Sequence, residues 1–178
     1  MNISLKALIP LAVFAALCIA LAIGLTKDPS ELQSMMIDKP FPEFSLPNLH
    51  GEGLLGNEVL EGNVTLVNVF GTWCAPCAIE HPVLMKIEQT KAVTLLGVNW
   101  MDTRENGRDW LKKHGNPYTY TLSDKHSSLV QALGVAKAPE SFLVDKTGRI
   151  RYKHTGVITL KAWREVIEPL TQKLEAET

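Results

Sequence analysis

The stretch Val67–Pro82, VNVFGTWCAPCAIEHP, decides the fold of this chain. An apolar, β-branched run ends at Gly71, and a Cys-x-x-Cys motif follows it, succeeded by residues that propagate a helix. A strand that feeds a helix in this way places Cys74 at the helix N-terminus, where unpaired N–H groups and the helix dipole stabilise a thiolate. Cys77 follows one turn later, within disulfide reach. The motif therefore predicts a pair that cycles between dithiol and disulfide.

Half of a zinc site is the main alternative for this motif. Structural zinc takes four Cys or His ligands, usually as two closely spaced pairs. The remaining cysteine, Cys18, lies in an apolar run, and haem attachment would require His at position 78, which is Ala78. The histidines are scattered along the chain: His50, His81, His114, His126 and His154. The spacing thus favours a redox pair and predicts no metal.

Further segments carry a resemblance to a known family. They are Pro40–Pro47, Glu80–Pro82, Gly97–Asp102, Gly115–Tyr118 and Ala138–Asp145. The Cys motif resembles the thioredoxin-like superfamily. The ordered set of segments, from about Asp38 to Gly156, is similar to the membrane-anchored thiol–disulfide proteins of cytochrome c maturation, CcmG or DsbE.

The N-terminal stretch from Ala7 to Leu25 has nineteen residues without a charge, enough to span a bilayer as a helix. A cleaved signal peptide is the alternative, but its apolar region is normally only about 7–15 residues and ends at small residues. We expect a cytoplasmic N-terminus at 1–6, a transmembrane anchor at 7–25, a linker at 26–37 and one domain at 38–178. Cys18 is interpreted as a lipid-facing or packing residue.

The elements predict an α/β domain with a mixed central sheet flanked by helices, preceded by the transmembrane helix. The resemblance implies that this domain has the thioredoxin-like fold. The run Val64–Phe70 is too continuously apolar for a half-exposed strand, so it is predicted as a central strand. A net charge of −1 gives no electrostatic case for nucleic acid. The other predicted elements are a helix from Ala75 to about Thr90, strands at Ala92–Asn99 and Tyr118–Leu122, helices at Thr103–His114 and Ser127–Leu133, a hairpin around Asp145–Gly148 and a final helix capped by Thr159.

Two sulfurs and one ring form the predicted reactive centre. Cys74, at the helix start, is expected to be the exposed nucleophile. Cys77 is expected to be the more buried sulfur, which resolves the mixed disulfide. Trp73 is a candidate substrate contact, and a purely shielding role is equally consistent with its position.

Acidic residues are the next candidates. Thioredoxins carry a buried Asp six residues before the first Cys, whereas this chain has Asn68, which cannot accept a proton from the second thiol. Glu80 shares a helix face with Cys77 and is a candidate replacement, and an ordinary solvated helix residue is the alternative. The family resemblance implies that acidic residues at Glu80 and Glu140 line the site. A nearby carboxylate raises a thiol pKa, which makes the pair a better reductant.

The dipeptide Ala138-Pro139 precedes a predicted strand. The resemblance implies that Pro139 is cis and faces the disulfide, leaving a backbone edge free for an extended substrate; a trans proline that opens a strand is the alternative. Relatives often read Gly-Val-Tyr-Gly just upstream, but Gly134–Lys137 reads GVAK. Any partner contact made by that Tyr is therefore in question.

The resemblance implies a periplasmic protein-disulfide reductase without a cofactor. Its expected substrate is apocytochrome c, reached directly or through a CcmH-type thiol protein, and its expected electron donor is a DsbD-type membrane protein. A general periplasmic thiol oxidase or isomerase is one alternative. Another is a copper-binding assembly factor for a respiratory oxidase, for which His126 and His154 are available. Such factors, however, have three residues between their two Cys, whereas this chain has two.

Overall fold

The computed structural model describes residues 5–25 and 36–177, and the chain divides into two compact units, Met1–Gln33 and Ser34–Thr178. In the first unit, helix α1 covers Leu5–Leu25 and contains Pro10. Among the described residues, no helix meets both the length and the apolarity needed to cross a membrane. Most of the predicted linker, residues 26–35, lies outside the described residues.

Strands and helices alternate along the second unit. The strands are β1 (Ser45–Pro47), β2 (Leu54–Gly56), β3 (Thr65–Phe70), β4 (Thr94–Trp100), β5 (Tyr120–Asp124), β6 (Glu140–Val144) and β7 (Ile150–Thr155). The helices are α2 (Ala75–Thr90), α3 (Arg104–His114), α4 (Ser128–Ala132), α5 (Leu160–Ala162) and α6 (Glu168–Ala176), with a 3-10 turn at Asn57–Leu60 and a π-helical turn at Trp163–Ile167.

The main sheet has five strands in the order β5-β4-β3-β6-β7, and β1 pairs with β2 apart from it. Strand β3 runs parallel to β4 and antiparallel to β6, while β4 is parallel to β5 and β6 antiparallel to β7. Every residue of β3 is buried. The mixed sheet and its central, doubly covered strand are therefore confirmed.

Each face of the sheet covers its own apolar core, because successive side chains of a strand point to opposite faces. From β3, Leu66 and Phe70 pack into the core that includes Cys77. Val67 and Val69 pack into the core on the other face. Asn68, which lies between the two valines, consequently points to the face that α2 covers.

Element boundaries agree with the sequence to within two residues. The two-residue shifts fall in β4, which begins at Thr94 and not at Ala92, and in β5, which ends at Asp124 and not at Leu122. Helix α2 begins and ends where predicted, and the hydroxyl of Thr103 caps α3. The strand predicted from Tyr118 is wrong at its start, because β5 begins at Tyr120. The Asn116 side chain accepts a hydrogen bond from the Tyr118 N–H at 3.0 Å, so this segment is still a turn.

Thr159 caps the final helical region as predicted, by accepting a hydrogen bond from the Ala162 N–H. The helix then widens into the π turn before α6 resumes. Pro169 has no N–H to donate to the preceding turn, which is a common cause of such irregularity. The apolar stripe remains inward, since Trp163, Ile167 and Leu174 are buried.

Candidate active site

The two cysteines of the motif form a disulfide at the start of α2, with their Cα atoms 5.3 Å apart. Cys74 is the N-cap, and its Sγ accepts a hydrogen bond from the Cys77 N–H at 3.2 Å. The expected difference in exposure is wrong, since Cys74 is 4% and Cys77 3% exposed. In the disulfide each sulfur covers the other, and both pack in the core beneath α2. Helix position, and not exposure, distinguishes them.

The loop that leads into Cys74 is fixed by a carboxylate from the next strand–helix connection. Asp102 accepts hydrogen bonds from the Thr72 N–H at 2.9 Å and the Thr72 hydroxyl at 2.6 Å. It also accepts from the Thr103 N–H and the Asn106 side chain. Burial opposes its ionisation, but the hydrogen bonds from Thr72, Asn106 and Thr103 outweigh burial and lower the pKa of Asp102. The loop before Cys74 is thereby tied to the segment that follows β4.

Trp73 lies beside the disulfide with its side chain 52% exposed. Its indole N–H donates to the Trp100 carbonyl at 3.0 Å, and its ring meets the Trp100 ring edge-on at a centroid distance of 5.5 Å. The ring also covers Gly71, where an added Cβ would come within 2.5 Å of the indole nitrogen. Gly71 is therefore needed for the fixed orientation of an exposed aromatic ring next to Cys74.

Glu80 is buried, one turn after Cys77 on α2, with a relative exposure of 1%. Its Oε1 accepts a hydrogen bond from the Asn68 side-chain amide at 2.6 Å, and its Oε2 accepts one from the Ile158 N–H. Burial raises the pKa of Glu80 to about 7, against the opposing effect of the Ile158 and Asn68 hydrogen bonds. The side chain can therefore exchange a proton near neutral pH.

Asn68 connects Glu80 to two further hydroxyl groups. Its Nδ2 also donates to Ser141 Oγ at 3.0 Å, and its Oδ1 accepts from the Tyr118 hydroxyl at 2.7 Å. Asn68 is fully buried, and Tyr118 and Ser141 are buried as well. The position that holds a carboxylate in thioredoxins thus holds an amide here, and the carboxylate comes from α2.

Glu140 lies on the opposite face of the sheet. Asn68 and Ser141 are cross-strand partners and share a face, so the neighbouring Glu140 points away from it. There the Glu140 carboxylate is paired with Lys153, whose Nζ lies 2.7 Å from Oε2. Lys153 also lies over the Phe142 ring, 5.3 Å from its centroid. The structure therefore does not bring the two predicted carboxylates together.

The Ala138-Pro139 peptide bond is cis, as the resemblance implied. Pro139 is buried, and its carbonyl accepts a hydrogen bond from the Gly156 N–H at 2.9 Å. Ala138 packs against the same core as the two cysteines. The dipeptide thus enters β6 on the side of the sheet that carries the disulfide.

Sequence reasoning gave no role to Tyr118, Ser141 or Lys153. The predicted hairpin could have indicated Lys153, because strand alternation places it on the same face as Phe142 and near Glu140. Tyr118 lies in Gly115–Tyr118, a segment that carries the family resemblance, but no local pattern indicates its partner Asn68, which is 50 residues away. Within residues 5–25 and 36–177, no group of three or more His, Cys, Asp or Glu is placed to hold a metal ion.

A disulfide at the start of a helix and a cis proline just before a strand, both in a domain with a five-stranded mixed sheet, define a thioredoxin-like thiol–disulfide oxidoreductase. The family model described as Redoxin matches residues 36–167. A secreted thiol-disulfide isomerase from Corynebacterium glutamicum has the same fold, with a TM-score of 0.65 and 23% identity over 82% of this chain and 96% of that chain.

Two relatives identify the family within this class of oxidoreductases. The thiol:disulfide interchange protein DsbE of Allochromatium vinosum is 43% identical over 177 residues, covering 98% of each chain. The DsbE of Escherichia coli K12 is 38% identical over 177 residues, covering 96% of this chain and 95% of the relative. This chain belongs to the DsbE family of thiol:disulfide interchange proteins.

Proposed function

We propose that this protein reduces disulfides of partner polypeptides, with Cys74 as the nucleophile, Cys77 as the resolving thiol and Glu80 as the proton acceptor for Cys77. The placement of Glu80 is the observation that carries the proposal. This carboxylate is buried one turn after Cys77, its hydrogen-bond partners are neutral, and its pKa is raised to about 7. Such a group takes up a proton at the pH at which the protein works.

The reaction starts from the dithiol. The Cys74 thiolate attacks one sulfur of the substrate disulfide, and the other substrate sulfur leaves as a thiolate that takes up a proton from water. Cys77 then gives its proton to Glu80, and its sulfur attacks Cys74 Sγ. The remaining substrate sulfur leaves and is protonated. Two electrons have passed to the substrate, and the protein ends with the Cys74–Cys77 disulfide.

The substrate proposed is the disulfide of the haem-binding Cys-x-x-Cys-His segment of apocytochrome c, met directly or through a CcmH-type thiol protein. A DsbD-type membrane protein would return electrons. Membership of the DsbE family and the resemblance in the segments around the motif support this pathway. The half-exposed ring of Trp73 and the cis dipeptide Ala138-Pro139 are the proposed substrate contacts. Trp73 directly precedes Cys74, and Ala138 packs against the core that includes both cysteines.

The location proposed is the periplasmic face of the inner membrane, with residues 7–25 as an uncleaved anchor. The nineteen uncharged residues from Ala7 to Leu25 support it. The mature protein should keep Met1 or Asn2 and stay in the membrane fraction after a carbonate wash. A mature N-terminus near Thr26 in the soluble fraction would show that the segment is a signal peptide.

A peptide assay tests the direction of electron flow. Reduced full-length protein is mixed with a synthetic peptide that carries an internal disulfide in Cys-x-x-Cys-His, and the free peptide thiols are counted at equilibrium. The proposal predicts that most of the peptide is reduced. If the oxidised protein instead converts the dithiol peptide fully to its disulfide, the protein is an oxidase and the proposal fails.

The roles of the two sulfurs are tested by trapping. The variant Cys77→Ser should accumulate a mixed disulfide with the peptide through Cys74, because no resolving thiol remains. In the reduced wild-type protein, iodoacetamide should label Cys74 first, since the helix start stabilises its thiolate. Faster labelling of Cys77, or an adduct only in Cys74→Ser, would reverse the assignment.

A further inference from the structure

We infer that Asn68, oriented by the hydroxyl group of Tyr118, is a positioning residue that holds the Glu80 carboxylate as an ionised proton acceptor. This inference rests on the proposed role of Glu80 and adds the groups that control it. Two residues outside the redox motif, from β3 and from the turn before β5, would then set the proton exchange of the site.

The first step is the orientation of the Asn68 amide. An amide presents two donors on nitrogen and an acceptor on oxygen, and an ionised carboxylate only accepts. The Tyr118 O–H donates to Asn68 Oδ1 at 2.7 Å, so the amide oxygen faces the Tyr118 hydroxyl. The amide nitrogen is left to donate to Glu80 Oε1 at 2.6 Å and to Ser141 Oγ at 3.0 Å. Rotating the amide would turn its oxygen toward the carboxylate.

The second step is that the Tyr118 hydroxyl stays protonated and remains a hydrogen-bond donor. Burial, and then the charge of Glu80, raise the pKa of Tyr118 well above its ordinary value, so the hydroxyl keeps its proton. Its ring is stacked on Phe70 at a centroid distance of 5.1 Å. It also fills the space above Gly97, where an added Cβ would come within 2.8 Å of the ring. The absence of a side chain at Gly97 therefore makes room for Tyr118.

The third step is the balance of charges around Glu80. Its own helix contributes Cys77, which does not titrate while it is in the disulfide. From the turn before β5 comes Tyr118, and the segment after β7 supplies the neutral Ile158 N–H. On β6 and β7, Glu140 and Lys153 are paired on the other face of the sheet. Among these groups, the neutral donors form hydrogen bonds to the Glu80 anion, and these hydrogen bonds oppose the effect of burial on its pKa.

Carboxyl NMR of the oxidised full-length protein tests the inference without any catalytic step. The glutamate side-chain carboxyl is labelled with carbon-13, and the Glu80 signal is assigned by its loss in Glu80→Gln. The titration is repeated in Tyr118→Phe and in Asn68→Ala. Tyr152→Phe is the matched control, because the same hydroxyl is removed from a half-buried tyrosine outside this network.

The inference predicts that the Glu80 pKa rises in both variants, by about one unit or more in Asn68→Ala, because a hydrogen bond to the charged form is lost. Tyr152→Phe should leave it unchanged. In Asn68→Asp, two carboxylates would share one proton, so the Glu80 signal should titrate in two coupled steps.

An unchanged Glu80 pKa in Tyr118→Phe and Asn68→Ala would overturn the inference, including the case in which these variants only lower the melting temperature. The proposed function fails separately. If Glu80→Gln reduces peptide disulfides with the wild-type rate and pH profile, Glu80 is not the proton acceptor, whatever Asn68 does to its pKa.

Discussion

Two buried glutamates, Glu80 and Glu140, lie on opposite faces of the sheet. Glu80 faces the core beneath α2, where an amide and a backbone N–H contact its carboxylate. Glu140 faces the other side, where the ammonium group of Lys153 lies 2.7 Å from its carboxylate. Both side chains are almost fully buried, at 1% and 2% exposure. They differ in the charge of their partners.

That difference decides what each carboxylate can contribute. A buried carboxylate with neutral partners is costly to ionise, and burial accordingly raises the pKa of Glu80 to about 7. The Glu140 carboxylate instead has a cation, Lys153, as its direct partner. Proximity in the sequence to the redox motif or to the cis proline is therefore a poor guide to proton exchange. The charge of the direct partners is a better one.

The largest effect is expected on the pH dependence of stability. Glu80 has a folded-state pKa of about 7 against an ordinary value of 4.5, so folding is penalised as the pH rises through this window. Between pH 5 and pH 8 the wild type should lose about 2.5 kcal/mol relative to Glu80→Gln. Urea unfolding of the oxidised proteins at both pH values measures this. Parallel stability curves would show that the pKa of Glu80 is not raised by folding.

A smaller loss is expected when the ion pair on the other face is broken. Lys153→Met leaves the buried Glu140 carboxylate without its partner. Because the Lys153 side chain is 16% exposed and the pair is not fully desolvated, the cost should be about 2 kcal/mol in the free energy of unfolding. The double variant Lys153→Met, Glu140→Gln should regain most of it. Lys91→Met is the surface control, since that lysine is paired with Glu88 but 74% exposed, and should cost less than about 0.5 kcal/mol. Equal losses in the two lysine variants would contradict a buried pair.

The smallest effect is expected for Glu140→Gln alone. Lys153 keeps 16% of its side chain exposed, so water can solvate its charge once the partner is neutral. The stability cost should be about 1 kcal/mol, with no change in the slope of stability between pH 5 and pH 8. Circular dichroism melts at the two pH values give both quantities. A slope that disappears in this variant would place the titrating group at Glu140 and not at Glu80.

Much of the fold was predictable because its determinants are local. The uninterrupted apolar run ending at Phe70 predicts a central strand, and the hydroxyl of Thr103 marks the start of α3. The turn Asp145–Gly148 predicts the β6–β7 hairpin. The shift of β5 was not predictable in the same way, because it depends on the side chain of Asn116 holding the Tyr118 N–H.

The candidate site was predictable only in part. The disulfide follows from the spacing of the motif, and the cis bond before Pro139 follows from the resemblance. The burial of Glu80 was not predicted, because a solvated residue on the same helix face fits the sequence equally well. The separation of Glu80 from Glu140 required the register of β3 against β6, which fixes the face to which each side chain points. The link from Asn68 to Ser141 spans 73 residues, and no pattern in the sequence encodes it.

The central claim, that an ionisable Glu80 makes the Cys74–Cys77 pair a reductant, is tested most directly by the reduction potential at pH 7. Wild type, Glu80→Gln and Glu140→Gln are titrated against dithiothreitol and glutathione buffers. Wild type should lie below about −200 mV, nearer to thioredoxin at about −270 mV than to DsbA at about −120 mV. Glu80→Gln should raise the reduction potential by about 30 mV, because the variant lacks the negative charge of Glu80 that destabilises the thiolate. Glu140→Gln should change the reduction potential by less than about 10 mV. A wild-type potential near that of DsbA, or an equal shift in the two variants, would contradict the account.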